Sequence, residues 1–451
     1  MCSFPIHEYS LTHSERLLLS VVFRRQSTQG TAKLSGTKLH ISASQVERCR
    51  CCERDRLDVI LDLGSTPIAN ALLAANSPHA DEKSYPLALA FCESCSLVQL
   101  AYELPAETIF DADYPYYSSF SSELADHARR HVDDLLQTRA LTADSTVVEL
   151  GSNDGYLLKH FVTHGVRVLG IDPSPGPAQE AEKVGVPTVT EFFNAQLATK
   201  LRDEGVVADV IIASNVMAHV PDLNGFVEGM AILLAEDGLI TVENPYLRDL
   251  IDNNEFDGIY HEHFCYFSCT AVDVLMRRHG LYINDIEYFP NLHGGTLRWQ
   301  VGTHDSPSSS VRRYLDEEHE RGMDSLSFYA SFRTTIDDVC DVLRTILEKL
   351  HEEGKTVAAY GAAAKGATLL NVLGAHVGHI RYVVDRNWHK QNKLMPGVHL
   401  LINDPSILDR DPPDYLLILA WNFKDEIMAQ LASYSERGGK FIVPIPYPAV
   451  L

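Results

Sequence analysis

Positive charge is scarce in this 451-residue chain: 38 lysines and arginines face 61 aspartates and glutamates, a formal net charge of −23. A surface that tracks phosphates draws on clustered basic side chains, so no nucleic-acid partner is expected. Long apolar runs are missing as well. Residues 17–23 form a short run broken by Ser20, no small-residue cleavage site follows, and nothing approaches the ~20 apolar residues of a membrane-spanning helix. The sequence therefore predicts a cytoplasmic protein without a membrane partner, with residues 1–44 a polar, disordered extension. Disulfides are not expected in that compartment, so the nine cysteines point to metal ligation or free thiols.

What remains is an ordinary globular composition, 45% hydrophobic and 22% charged, in a chain too long for one core. Cys49 and Cys52 form one C-x-x-C pair, and Cys92 and Cys95 form a second. Each pair has the spacing of a metal knuckle, and the two together make a closed four-thiolate set suited to structural zinc. Cys51 is a possible competitor within the first pair. The segment between the pairs is too short to bury much core, so zinc would supply the stability it lacks.

Further on, residues 121–138 carry apolar side chains at helical spacing (Leu124, Ala128, Val132, Leu135, Leu136). An alternation of strands and helices follows, with strands expected at 147–150, 166–171, 210–213 and 239–242. Residues 306–310 are a Pro/Ser-rich break, and 311–350 is a charged, helix-periodic connector. A second alternating unit has strands at 357–360, 380–384, 415–419 and 441–445. The expected domains are 45–110 for zinc, 111–305 for a Rossmann-like α/β domain and 306–451 for a second one.

Two clusters carry the chemistry. The first is the turn after the strand at 147–150, containing Glu149, Gly151, Asn153, Asp154 and Gly155, with Asp172 ending the next strand. A carboxylate at that place can accept both ribose hydroxyls of an adenosine group. The turn departs from G-x-G-x-x-G, and its polar acceptors would crowd a pyrophosphate. They suit a cationic, phosphate-free cofactor, which favours S-adenosylmethionine over NAD. Asn215, following the strand at 210–213, joins this set. The second cluster is Tyr260-His261-Glu262-His263, four proton-handling side chains in a row. Its H-x-H spacing lacks the helical turn of a zinc-protease motif, so acid–base work is the better reading.

These motifs, with Leu61-Asp62-Leu63-Gly64-Ser65-Thr66-Pro67-Ile68-Ala69-Asn70, Asp113-Tyr114-Pro115-Tyr116-Tyr117-Ser118-Ser119-Phe120, His293-Gly294-Gly295 and Tyr360-Gly361-Ala362-Ala363-Ala364-Lys365-Gly366, run in one order along residues 45–451. The chain thereby resembles the zinc-binding sugar C-methyltransferases that act on nucleotide-linked ketodeoxysugars. The resemblance implies an α/β protein with a small N-terminal Cys₄ zinc domain, a central Rossmann-like class I methyltransferase domain and a C-terminal Rossmann-like domain that helps hold the sugar nucleotide. It implies S-adenosylmethionine and structural zinc as cofactors and a dTDP-linked 4-keto-deoxysugar as substrate. Methylation would fall at carbon 3, in deoxysugar biosynthesis of a natural product such as an antibiotic, by a monomeric enzyme.

The chemistry is consistent with that implication. Methylating carbon requires loss of a proton next to a ketone, a base to take it and a donor to the enolate oxygen. His263 is the expected base, with Glu262 orienting an imidazole or holding a substrate hydroxyl. His219 is placed to polarise the ketone, and Tyr260 and Tyr114 to donate to the enolate. His261 is read as structural. Substrate contacts are expected from Tyr116, His293, Arg298, Tyr360, Trp421 and Asn422, with Lys365 beside the 361–366 turn in a diphosphate cradle. The competing reading is a nicotinamide-dependent ketosugar reductase, alone or fused to the methyltransferase activity, using the C-terminal unit. A zinc-ribbon nucleic-acid module is disfavoured by the charge.

Overall fold

The computed structural model describes residues 43–76, 82–109 and 117–451, so residues 1–42 of the expected extension lie outside them. They divide into two compact units. The smaller comprises Tyr117–Ile212 and Glu228–Leu239; the larger joins the N-terminal segment to Ala213–Val227 and Ile240–Leu451.

In the larger unit, β1 (Leu57–Thr66), β2 (Tyr85–Cys92) and β3 (Val98–Leu100) form an antiparallel meander. β2 is buried along almost its whole length, whereas β1 leaves most of its residues exposed or half-exposed. Each cysteine pair sits in a tight turn that ends on a left-handed residue, Glu53 (φ 63°) and Ser96 (φ 60°). The amide of Glu53 returns to the Cys49 carbonyl at 2.9 Å, and that of Ser96 to the Cys92 carbonyl at 2.8 Å. A fourth strand joins this sheet from far along the chain: Cys265 pairs with Gln99 and Tyr266 with Val98.

The smaller unit holds the doubly wound element that the sequence predicts. The strands β4 (Thr146–Leu150), β5 (Arg167–Ile171), β6 (Thr188–Val189) and β7 (Ala208–Ser214) pair in parallel in the order β7-β4-β5-β6. All five residues of β4 are buried, as a central parallel strand requires. Helix α1 (Ser122–Thr138) starts where Ser121 caps the Leu124 amide, and it buries Leu124, Ala128, Val132 and Leu135, four of the five residues that marked the periodicity.

Strand β8 (Leu234–Pro245) leads into the rest of the larger unit. There β9 (Tyr282–Phe289) and β10 (Thr296–Gly302) form a hairpin, and β10 pairs antiparallel with β8 from Ile240↔Val301 to Pro245↔Thr296. The sequence reading missed this hairpin. The single connector expected over 311–350 is two helices, α2 (Ser309–Glu320) and α3 (Phe332–Glu352), separated at Gly322, whose φ of 72° ends the first. The last sheet contains β11 (Val357–Tyr360), β12 (Ile380–Val384), β13 (Ile402–Asn403), β14 (Tyr415–Ile418), β15 (Lys440–Val443) and β16 (Ala449–Val450). Its order is β13-β12-β11-β14-β15-β16, parallel except for the last strand. Helix α4 (Ala364–Leu373) follows β11 and ties to an earlier loop through Thr368, which donates to the Ile259 carbonyl at 3.0 Å. The fold is thus α/β, with a cysteine-rich N-terminal module and two Rossmann-like sheets.

Candidate active site

The four predicted cysteines converge. Cys49 Sγ lies 3.4 Å from Cys95 Sγ, Cys52 Sγ lies 3.5 Å from Cys92 Sγ, and all four sulfurs fall within 4.8 Å of one another. Zinc–sulfur bonds of about 2.3 Å put tetrahedral sulfurs about 3.8 Å apart, so the donor set fits zinc with no open position. Cys51 is buried but stands outside the set; its carbonyl accepts from Asn224 Nδ2 at 3.1 Å.

In the smaller unit the glycine turn is built around left-handed residues, Gly151 (φ 69°), Asn153 (φ 49°) and Gly155 (φ 73°). A Cβ on Gly155 would press on Val184 and Ala181 at 3.1 and 3.2 Å, so only glycine lets the C-terminal end of the helix Pro175–Lys183 pack this close. Asp172 accepts the Asn153 amide at 2.9 Å and the Ser174 amide at 2.8 Å, which shapes the turn itself. Asn153 and Asp154 reach the other way, to the amides of Ser118 (2.8 Å) and Ser119 (3.2 Å). Glu149 is buried, and that burial together with Asp172 and Asp154 holds its carboxyl well above the usual range. One oxygen each of Glu149 and Asp154 lacks a partner among the described residues. Orphaned carboxyl oxygens at this turn fit a cationic cofactor rich in hydroxyl and amino groups, as S-adenosylmethionine is.

The larger unit contains the proton-handling cluster. Nδ1 of His263 lies 2.9 Å from the Gly258 carbonyl and must carry the hydrogen, which leaves Nε2 to accept from the Tyr260 hydroxyl at 2.8 Å. His219 meets the same ring edge-on, with centroids 4.7 Å apart. Burial and the neighbouring His219 hold His263 well below the usual imidazole range, and burial lowers His219 to about 4. Both rings are therefore neutral at neutral pH. Glu262 is buried and bound by Asn70, whose Nδ2 lies 2.8 and 2.9 Å from its two oxygens. His261 packs edge-on against Tyr85, with Nε2 3.2 Å from the Pro86 carbonyl, consistent with a structural role.

Beside His263 is a cavity of about 40 Å³ whose wall includes Asn244, Glu255, His293 and Lys365. The turn His293–Gly295 needs its glycines: Gly294 has φ 92° and Gly295 φ 132°, and a Cβ on either would strike the Glu255 or the Asp249 carboxylate. Lys365, from the first turn of α4, lies over the Trp421 ring at 4.6 Å and 3.5 Å from the His293 carbonyl. The Trp421 indole donates to buried Asp257 at 2.7 Å. Burial raises Glu255 to about 7 and also raises Asp257, in both cases against the opposing pull of Lys365.

Two expected substrate contacts need correcting. Arg298 is buried and spends its guanidinium on Glu243 (2.6 Å) and Glu287 (3.0 Å), so it holds the β8–β10–β9 sheet. The 361–366 turn is no open diphosphate cradle either. The Gly361 amide is bonded to the Val384 carbonyl, and the Ala362 amide to the Asp385 carboxylate at 2.7 Å, where a second anion would be repelled. Tyr360 is buried at the end of β11, Asn422 is half-buried after β14, and Asn215 adopts φ 54° with its amide on the Glu243 carbonyl. Tyr114 and Tyr116 lie outside the described residues. Sequence reasoning passed over Asn70, Asn244, Glu255 and Asp257. Asn70 stood inside a recognised segment and Asn244 just past the strand expected at 239–242, but their partners or surroundings are remote in sequence, so no local signal marked them.

The chain matches three family models: a zinc binding domain over residues 49–110, a methyltransferase domain over 124–285 and a C-methyltransferase C-terminal domain over 291–446. It is 34% identical over 409 residues to C-methyltransferase NovU of Streptomyces niveus, covering 90% of this chain and 97% of that one. An uncharacterized methyltransferase of Mycobacterium avium is 33% identical over 105 residues, 23% of this chain and 41% of that one. Among solved structures, the PH0226 protein from Pyrococcus horikoshii aligns with a TM-score of 0.34 and 16% identity, over 42% of this chain and 94% of that one.

Proposed function

Since the chain belongs to the zinc-binding, S-adenosylmethionine-dependent C-methyltransferase family, we propose that its substrate is a dTDP-linked 4-keto-deoxysugar, methylated at carbon 3 after loss of the proton beside the ketone. The observation that carries this reading is the neutral His263, held by Gly258 and Tyr260 and faced by His219. A base of this kind is suited to a weak carbon acid at neutral pH. The resemblance in motif order supplies the sugar nucleotide.

His263 takes the proton at Nε2 once the Tyr260 hydroxyl turns from that nitrogen toward the developing enolate oxygen. The Gly258 carbonyl keeps Nδ1–H fixed, so the ring keeps its orientation through the transfer. Glu262 is committed to Asn70, which sets the height of the loop and leaves the imidazole to Tyr260 and Gly258. S-adenosylmethionine, when bound, supplies a methyl group already activated on sulfonium, so the residues of the glycine turn need only position it. Zinc, held by the four cysteines, takes no part in the transfer, since its ligand set is closed.

Mass spectrometry of products from S-adenosylmethionine and a panel of dTDP-linked 4-keto-deoxysugars, run in deuterated water, tests the reading. Methylated product and deuterium at the carbon beside the ketone are expected. Failure to methylate any ketosugar of the panel would remove the substrate assignment. His263→Ala should abolish both signals while S-adenosylhomocysteine binding by calorimetry stays within about two-fold; retained exchange would place the base elsewhere.

A further inference from the structure

Asn244 stands one residue from the end of β8, paired across the sheet with Leu297 of β10. It is 1% exposed, yet neither its Nδ2 nor its Oδ1 has a partner among the described residues. A buried polar group left unpaired costs about 1–3 kcal/mol, and a carboxamide has two such groups. Groups to either side of it in the chain are satisfied: the Glu243 side chain holds Arg298, and just past the strand the amide of Tyr246 is bonded to the Gly295 carbonyl. The unmet side chain belongs to the wall of the cavity that also takes in His263, His293, Glu255 and Lys365.

The volume, about 40 Å³, admits one oxygen-sized group with its neighbouring atoms. The surroundings decide which oxygen it suits. Lys365 brings positive charge, His263 is held neutral, and Glu255, raised to about 7, is only partly ionised at neutral pH. A pocket with a cation, a neutral imidazole and an unspent amide donor suits an oxygen on which negative charge grows.

We propose that Asn244 is a further catalytic residue, whose side-chain amide donates a hydrogen bond to the substrate's carbonyl oxygen as it becomes an enolate oxygen beside His263. The assignment rests on the ketosugar reading above. In the step, the base takes the proton from the carbon next to the ketone and the C–H electron pair forms the new C=C bond. The C=O π pair moves onto oxygen, where Asn244 Nδ2–H meets it; the amide keeps its own protons throughout. The enolate carbon then takes the methyl group, the C–S bond breaks, and S-adenosylhomocysteine leaves.

The test is the rate of solvent deuterium exchange into dTDP-linked 4-keto-deoxysugars in the presence of S-adenosylhomocysteine, which isolates enolisation from methyl transfer. Asn244→Ala should slow exchange ~10²–10³-fold, the usual loss for one oxyanion donor. Asn244→Asp keeps the volume but replaces the donor by an acceptor, so exchange should fall at least as far. In both variants S-adenosylhomocysteine affinity should remain within about two-fold of wild type. Exchange at the wild-type rate in either variant would show that the cavity holds only a structural water and would overturn the proposal. So would loss of folding in both variants, which would make the amide a structural group. Absence of exchange in the wild type with every ketosugar would instead sink the substrate reading, and this assignment with it.

Discussion

A buried guanidinium needs carboxylates around it, and Arg298 has two, Glu243 and Glu287. Removing the cation leaves Glu243, 2% exposed, without its counter-charge. Arg298→Leu should therefore cost about 3–5 kcal/mol of stability in urea denaturation. A substrate-binding arginine would behave differently, with near-normal stability and a raised KM. His263 makes a second residue-scale prediction. It works as a base only when neutral, and activity is lost as pH falls through its folded-state pKa. Burial and His219 push that pKa below 6.5, so the acid limb of the exchange rate should lie below pH 6.5. A limb at or above that value in the pH profile would contradict the environment described for the ring. Such partnerships are invisible in one sequence: Asn70 and Glu262 are 192 positions apart, and neither residue type announces the other.

At the scale of elements, the knuckles, the glycine turn and α1 could be read in advance because each is specified by local spacing. Two cysteines three positions apart close one turn, and apolar residues at intervals of three and four mark one buried helix face. The β9–β10 hairpin could not be read. Its strands carry Asp285, Glu287 and Arg298, charges that look like a loop until they pair with each other, with Glu243 and with the serines at the start of α2. Zinc belongs to this scale as well, because the sheet behind its knuckles includes Cys265 and Tyr266, next to the His263 ring in the chain. Cys92→Ala should abolish stoichiometric zinc by metal analysis and lower the melting temperature by several degrees, since ligation of this type is worth on the order of 10 kcal/mol in small peptides. Deuterium exchange should fall with it. Unaltered melting and exchange in a zinc-free variant would refute the coupling.

On the scale of the whole molecule, a net charge of −23 argues against phosphate-tracking surfaces, and no helix among the described residues is long and apolar enough to cross a membrane. The two Rossmann-like sheets were foreseeable, because β4, β5, β11 and β12 are short apolar runs ended by a glycine or an aspartate. The assignment of segments to compact units was less so. The N-terminal module shares a unit with the end of the chain, through pairings between residues that composition alone cannot match. That arrangement bears on how the protein is made. Val98–Leu100 is an edge strand only until Cys265–Tyr266 pairs with it, and that neighbour is translated long afterwards. During synthesis the edge is open to pairing with another nascent chain until residue 266 emerges. The metal-binding module is the first part of the described protein to be synthesised and among the last to be closed, so zinc supply and protection from aggregation matter most in that interval.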